Sequence, residues 1–478
     1  MIMKSFKENF MWGGSVSSMQ AEGAWNTDGK GLTVYDTKKK RTYAQTSSDW
    51  ENGIDFYHHY KEDIALFAEM GFNTYRFSLS WARVLPDGEG EVNQAGLDFY
   101  DRVVNELIAQ NIEPIVCLYH FDLPDALAEK YGGWQSRKVL EAYRQYAELM
   151  IKHFDKRVRY YIPINEQNVA YTLTSDLLPE DIEPKELARY EAQAQHHSFL
   201  ASASVKHLVN AFAPHAQVGG MVAFSPFYPE SSHPDAILSA QIANRRLTYQ
   251  TTDVFVNGEY PQDLLHDWEK QGIMPEITAG DKQYLKEGTV DFLPFSYYQS
   301  AMAKKGADIT VDSFLDSFLD GTQPKNDFLA VSEWGWIIDP KGLRLAAKEL
   351  FDRYKLPVFT VECGIGVKET LNAKGTVEDD YRIDYLRDHV EQLRLAVTED
   401  GVDLMGFLTW GPIDILSSQG EMKKRYGFIY VNRDETDLKD LKRYKKKSFY
   451  WFKQVITSNG DDLWEKATPL EYQSSAKG

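Results

Sequence analysis

Two periodicities alternate along this 478-residue chain. Tyr57, Tyr60, Ile64 and Phe67 recur at three- and four-residue spacing, the stripe that an amphipathic helix buries, and Gly71 supplies its stop. Leu97, Tyr100, Val103, Val104, Leu107 and Ile108 predict a second such helix, and Ile383, Leu386, Val390 and Leu393 a third. Between the helical stretches lie short, continuous apolar runs, the pattern of strands covered on both faces in a parallel sheet. About eight stand out, at 10–17, 74–80, 113–119, 160–164, 218–224, 292–298, 357–361 and 405–410.

This alternation predicts the α/β class and a single (β/α)8 barrel over residues 1–478, with long βα loops near 172–186, 301–328 and 411–428 above its C-terminal face. A doubly wound sheet competes, but no Gly-x-Gly-x-x-Gly turn follows the first run. Most runs end in a side chain with chemical capacity. Gln20 lies just beyond the first, Arg76 within the second and His120 after the third; Asn165-Glu166, Tyr298, Glu362 and Trp410 follow on later runs. A barrel brings such ends to one face, where its loops build a site.

Composition narrows the function. At 43% hydrophobic and 13% aromatic residues the chain can fill a large core, which excludes disorder, collagen-like repeats and coiled coil. With 53 Lys and Arg against 71 Asp and Glu, the net charge of −18 repels phosphate backbones and anionic membrane surfaces, so neither nucleic acid nor membrane is an expected partner. Cys117 and Cys363 are too few and too far apart for a disulfide framework or a zinc finger. The first ten residues lack an apolar segment, and no stretch approaches the ~18 apolar residues of a membrane span. A soluble, cytoplasmic protein is expected. The adjacent pairs His58-His59 and His196-His197 point about 100° apart on a helix and lack metal-ligand spacing, so no metal or other cofactor is expected.

Glu166 and Glu362 each follow an apolar run directly. A carboxylate at the end of a buried strand is costly unless paired or hydrogen-bonded. Two of them facing each other across a barrel mouth suit glycosidic bond cleavage, one protonating the leaving oxygen and the other attacking the anomeric carbon. Spacing alone leaves a second reading open, in which each glutamate salt-bridges an arginine at the rim.

Phe10-Met-Trp-Gly-Gly-Ser-Val-Ser-Ser-Met-Gln-Ala-Glu-Gly-Ala24 resembles the N-terminal signature of glycoside hydrolase family one, the β-glucosidase family. So do Tyr75-Arg-Phe-Ser-Leu-Ser-Trp81, Leu118-Tyr-His-Phe-Asp-Leu-Pro124, Gly132-Gly-Trp134, Ile164-Asn-Glu166 and Thr360-Val-Glu362, in order from about residue 5 to about 455. The resemblance implies that Glu166 is the general acid/base and Glu362 the nucleophile. It also implies that Arg76 and Tyr298 hydrogen-bond the nucleophile, and that Gln20, His120, Asn165 and Trp410 bind the sugar. Three positions depart from the family pattern: Gln167 replaces a usual Pro, Cys363 a usual Asn, and Ser296 the Asn of Asn-Tyr-Tyr.

The loop after the eighth run narrows the substrate. Ordinary family members carry there a glutamate that binds the sugar's 4- and 6-hydroxyls; here Trp410-Gly-Pro-Ile-Asp414 leads to Ser417 at that place, and Lys424 and Tyr426 follow. A carboxylate beside O6 would repel a 6-phosphate, whereas a serine hydroxyl, an ammonium and a phenol can bind one. The Ser417…Lys424-x-Tyr426 spacing resembles the phosphate motif of 6-phospho-β-glycosidases. Members resembling 6-phospho-β-galactosidases carry Trp directly after that serine, and the small Ser418 stands here instead, which favours the gluco epimer. The expectation is a retaining 6-phospho-β-glucosidase acting on a small 6-phosphorylated β-glucoside. The alternatives are a 6-phospho-β-galactosidase or dual-specificity enzyme, an unphosphorylated β-glucosidase, and a non-catalytic phosphosugar-binding barrel.

Overall fold

The computed structural model describes residues 6–37, 50–173, 177–178 and 181–464. The expected domain span also takes in residues 1–5, 38–49, 174–176, 179–180 and 465–478, which lie outside the described residues, as does part of the expected loop near 172–186.

The apolar runs become parallel strands in one continuous sheet, in sequence Met11–Val16, Thr74–Ser78, Glu113–Cys117, Tyr160–Ile162, Gln217–Val218, Val222–Ala223, Leu293–Tyr297, Val358–Cys363 and Leu404–Trp410. The first strand pairs with both the second and the last, Gly13 standing opposite Thr74 and Leu408. Each crossover carries helix, among them the expected Phe56–Met70, Gln94–Ala109 and Asp380–Thr398. Gly71 ends the first of these in the left-handed region at φ 93°. This is the (β/α)8 barrel that the alternation predicts.

Three local features differ from the expectation. The run at 218–224 is two short strands, one pairing with Tyr160–Tyr161 and the other with Phe295–Ser296, and a bridge from Gly219 to Phe292 completes the ring between them. Glycine is required at this break, since a Cβ on Gly219 would lie 2.6 Å from the Phe292 ring and one on Gly220 2.5 Å from Phe255. The seventh strand runs on through Glu362 to Cys363, and its register slips between Thr360 and Glu362. Phe359 and Val361 join Ile115, Cys117, Ile162, Met221, Phe292 and Leu408 in a buried cluster that fills the barrel, whereas Cys363 packs with the outer core. The irregular step therefore turns Glu362 toward the barrel mouth out of the simple alternation, a common use of a bulge beside a site. Finally, the expected loop at 301–328 contains a strand, Ala301–Ala303, and a helix, Val311–Asp320, whose start Thr310 closes with a capping box.

Among the described residues no helix is long and apolar enough to cross a membrane, and no group of three or more His, Cys, Asp or Glu could hold a metal ion.

The closeness of the first two strands generates a test. A Cβ at Gly13 would lie 1.8 Å from the Thr74 carbonyl oxygen, which is backbone and cannot rotate away. Gly13→Ala is expected to cost at least ~2 kcal/mol, seen as a lower thermal midpoint or loss of soluble protein. An unchanged midpoint would contradict this packing.

Candidate active site

At the C-terminal mouth of the barrel Glu362 meets two donors. Arg76, buried in the second strand, donates from Nη1 to Glu362 Oε1 at 2.5 Å, and the Tyr298 hydroxyl donates to Oε2 at 2.8 Å. The other arm of Arg76 donates to Asn165 Oδ1 at 2.5 Å and lies 3.2 Å from Met221 Sδ, at the broken strand. One guanidinium thus joins residues from three distant places in the chain.

Glu166 sits where the fourth strand turns into the helix Gln167–Leu173, at φ 37°. That left-handed conformation costs a non-glycine residue ~1–2 kcal/mol. Its neighbours hold it there: Gln167 N–H donates to the Met221 carbonyl at 3.0 Å, and the amides of Val169 and Ala170 bond the Glu166 carbonyl. The Glu166 carboxyl accepts a hydrogen bond from the Ser296 hydroxyl. The family departure at 296 therefore places a hydroxyl against this glutamate, a partnership the sequence gives no local sign of.

The two carboxyls are electrostatically unequal. Burial pushes both upward. Arg76 and the Tyr298 phenol resist that push at Glu362. At Glu166 the Glu362 charge adds to burial, against weaker help from Ser296 and Arg76, and the carboxyl rises to about 8. Near neutral pH the pair favours an ionised Glu362 beside a protonated Glu166.

Both glutamates line a cavity of about 120 Å³, together with Gln20, His120, Asn165, Tyr298 and Trp410. Gln20 accepts from Ser17 Oγ at 2.5 Å and donates to the Leu416 carbonyl at 2.6 Å. The His120 and Trp410 rings lie 5.8 Å apart, and burial drives His120 well below its usual value, so the imidazole is neutral. His120 Nδ1 and Asn165 Nδ2 are buried without a hydrogen-bond partner among the described residues. Buried polar atoms normally have one, and both belong to residues that line the cavity. Part of its wall is apolar: Phe314, Leu315, Phe318 and Leu319 from the helix in the 301–328 segment, with Trp336.

The loop after the last strand folds back on a buried carboxylate. Asp414 takes Arg425 at 2.9 Å, Lys446 at 2.7 Å and the Gly427 amide at 2.9 Å. Ser418 and Tyr426 line the cavity. Ser417 is buried, and its Oγ accepts from the amides of Gln419 at 3.3 Å and Glu421 at 3.1 Å. Lys424 is 5% exposed and pairs with no carboxylate among the described residues. Its Nζ lies 3.6 Å from the centroid of Trp336, 5.2 Å from Trp334 and 5.9 Å from Tyr426. Burial pulls this ammonium down to about 7 against the opposing pull of Glu421. The stem passes close to Gly366, where a Cβ would stand 2.6 Å from Lys424 Cγ.

The other two departures lie away from the cavity wall. Gln167 donates to Ser198 Oγ at 3.2 Å and accepts from Ser202 Oγ at 2.5 Å. Cys363 Sγ lies 3.8 Å from the Tyr385 hydroxyl. Trp336 was not visible as a site residue, since it stands in irregular chain far from any strand end. The helix at 311–320 did carry a signal, the four-residue spacing of Phe314, Phe318 and of Leu315, Leu319.

Two carboxyls of unequal basicity at a barrel mouth, walled by polar and aromatic groups, define a glycosidase-type site. The chain belongs to glycosyl hydrolase family 1, whose family model matches residues 2–461. It is 44% identical to the aryl-phospho-β-D-glucosidase BglH of Bacillus subtilis (strain 168), over 96% of this chain and 99% of that one. It is 42% identical to the phospho-cellobiase of Klebsiella oxytoca, over 97% and 100%. Among solved structures, the family 1 β-glucosidase of Thermotoga maritima superposes with a TM-score of 0.85 at 28% identity, over 97% of this chain and 100% of that one.

The raised Glu166 carboxyl has a consequence for stability. A carboxyl held above its unfolded value makes folding less favourable as pH rises through the window from about 4.5 to about 8, because the unfolded chain releases a proton there that folding must take back. Glu166→Gln removes that penalty and keeps an acceptor for Ser296. The variant is expected to gain in thermal midpoint over wild type, with the gain growing from pH 5 to pH 8. A difference that is flat with pH, or shrinks, would contradict the assignment.

Proposed function

We propose that this protein is a retaining 6-phospho-β-glucosidase, releasing glucose 6-phosphate and an aglycone alcohol through a covalent glycosyl-enzyme. The observation that carries the chemistry is the inequality of the two carboxyls. Protonated Glu166 donates to the glycosidic oxygen while ionised Glu362, aimed by Arg76 and Tyr298, attacks the anomeric carbon. Once Glu362 is esterified its charge is gone, and with it the Coulombic push that raises Glu166. Glu166 then becomes the carboxylate that takes a proton from water, and the second displacement restores the configuration. Gln20, His120 and Asn165 offer polar atoms to the sugar hydroxyls, and Trp410 an indole face to its C–H edges.

The phosphate assignment rests on Lys424, a buried cation that pairs with no carboxylate among the described residues, close to Tyr426 and on the same loop as Ser417. The names of the relatives support the same reading: alongside the two above, a protein 41% identical over 96% of this chain is the 6-phospho-β-glucosidase of Clostridium longisporum. Ser418 in the cavity wall leaves out the indole that would meet an axial 4-hydroxyl, which favours gluco over galacto.

Two experiments test the proposal. Glu362→Ala is expected to abolish turnover, whereas azide partly rescues Glu166→Ala on substrates with good leaving groups; wild-type kcat/KM falls above about pH 8, where Glu166 loses its proton. Product of inverted configuration would overturn the retaining mechanism. Lys424→Ala or Ser417→Glu is expected to raise KM for a 6-phospho-β-glucoside far more than for its unphosphorylated analogue, since losing a charge-assisted hydrogen bond costs ~1.5–3 kcal/mol, roughly 10- to 150-fold. Equal effects on both substrates would remove the phosphate from this loop.

A further inference from the structure

The Lys424 ammonium stands 3.6 Å from the Trp336 ring centroid, inside the range of a cation–π contact, and both side chains are buried. Trp336 is itself immobilised from several sides. Its Nε1–H donates to the Phe318 carbonyl at 2.9 Å, and its ring stacks on Phe318 at 4.3 Å. The edge of Tyr298, the phenol that bonds Glu362, meets it at 5.6 Å. Its backbone is held by Ser332, whose amide donates to the Trp336 carbonyl at 2.8 Å, and the next amide, Ile337, donates to Gln299 Oε1 at 2.8 Å. A fixed indole face is therefore presented to a flexible lysine.

The lysine has another place to go. Glu421 Oε1 is taken by Lys423 at 2.8 Å, but Oε2 is buried without a hydrogen-bond partner among the described residues. An ammonium drawn onto that oxygen would be neutralised within the loop and withheld from a substrate anion.

We propose that Trp336 is a positioning residue for Lys424, holding its ammonium off Glu421 and ready for the substrate phosphate. This inference rests on the phosphate reading of the loop. Trp336 also lines the cavity beside Phe314 and Phe318.

The test compares 4-nitrophenyl 6-phospho-β-D-glucoside with 4-nitrophenyl β-D-glucoside. Trp336→Leu is expected to raise KM for the phosphorylated substrate about 10- to 30-fold beyond any change for the other, with kcat falling less than KM rises. Trp336→Phe, which keeps a ring face, should restore most of the preference. Glu421→Gln, which removes the competing charge, should restore part of it in the Trp336→Leu background. In a Lys424→Ala background Trp336→Leu should leave the ratio of the two KM values unchanged. If leucine does not fold, Trp336→Met serves the same comparison with a flexible side chain. Equal KM changes for both substrates, or leucine and phenylalanine behaving alike, would reduce Trp336 to a wall residue. Loss of preference in Lys424→Ala but not in Trp336→Leu would overturn this inference alone. An unchanged preference in Lys424→Ala would overturn the phosphate reading and this inference with it.

Discussion

The buried pairing of Arg76 with Glu362 is the contact around which the barrel mouth is arranged. Neither group is solvated, and a lone charge at that depth would cost several kcal/mol. The pair is tolerable because both of its members have further partners. Glu362 takes the Tyr298 phenol as well, and Arg76 reaches Asn165 and the Met221 sulfur. Those partners come from the second, fourth, sixth and seventh barrel strands or their ends, and from the fifth where it breaks. Closing the barrel is what assembles them, so the fold and the ionisation of Glu362 depend on each other. Glu166 receives the opposite treatment, with a neutral hydroxyl from Ser296 and no direct cation partner among the described residues, and burial together with the Glu362 charge keeps its proton on.

A second set of buried charges plays the corresponding part for the loop above the eighth strand. Asp414 is bound by Arg425 and Lys446, Lys446 also meets Glu369, and Glu369 and Asp379 are both held by Arg382. Cations and carboxylates alternate through this network, so each charge is compensated. Lys424, one residue before Arg425, is excluded from it and faces indoles instead. That contrast between neighbouring cations separates a structural charge from one available to a ligand.

Much of the fold was legible because strands buried on both faces leave continuous apolar runs, and helices over them leave a three-to-four spacing. The strand ends then named most of the polar cavity wall, since a barrel has one C-terminal face. What was not legible depended on contacts distant in sequence. The Gly219-Gly220 break answers to Phe292 and Phe255, and the inward turn of Glu362 to a register slip against the neighbouring strand. The role of Ser296 was not legible because its partner lies 130 residues away. Trp336 carries no periodic signal, and only the fold sets it against Lys424. The helix at 311–320 was within reach of periodicity, and its short length inside a long connecting segment concealed it.

The central claim is that Glu362, kept ionised by Arg76, forms the covalent bond to the sugar. A 2-deoxy-2-fluoro-β-glucosyl 6-phosphate carrying a good leaving group would slow the second step and leave the intermediate in place. Peptide mass spectrometry of the inactivated protein should find a single adduct on the peptide containing Glu362, absent from Arg76→Met protein treated in the same way. An adduct on Glu166, or turnover of the reagent with no adduct on any carboxylate, would contradict it.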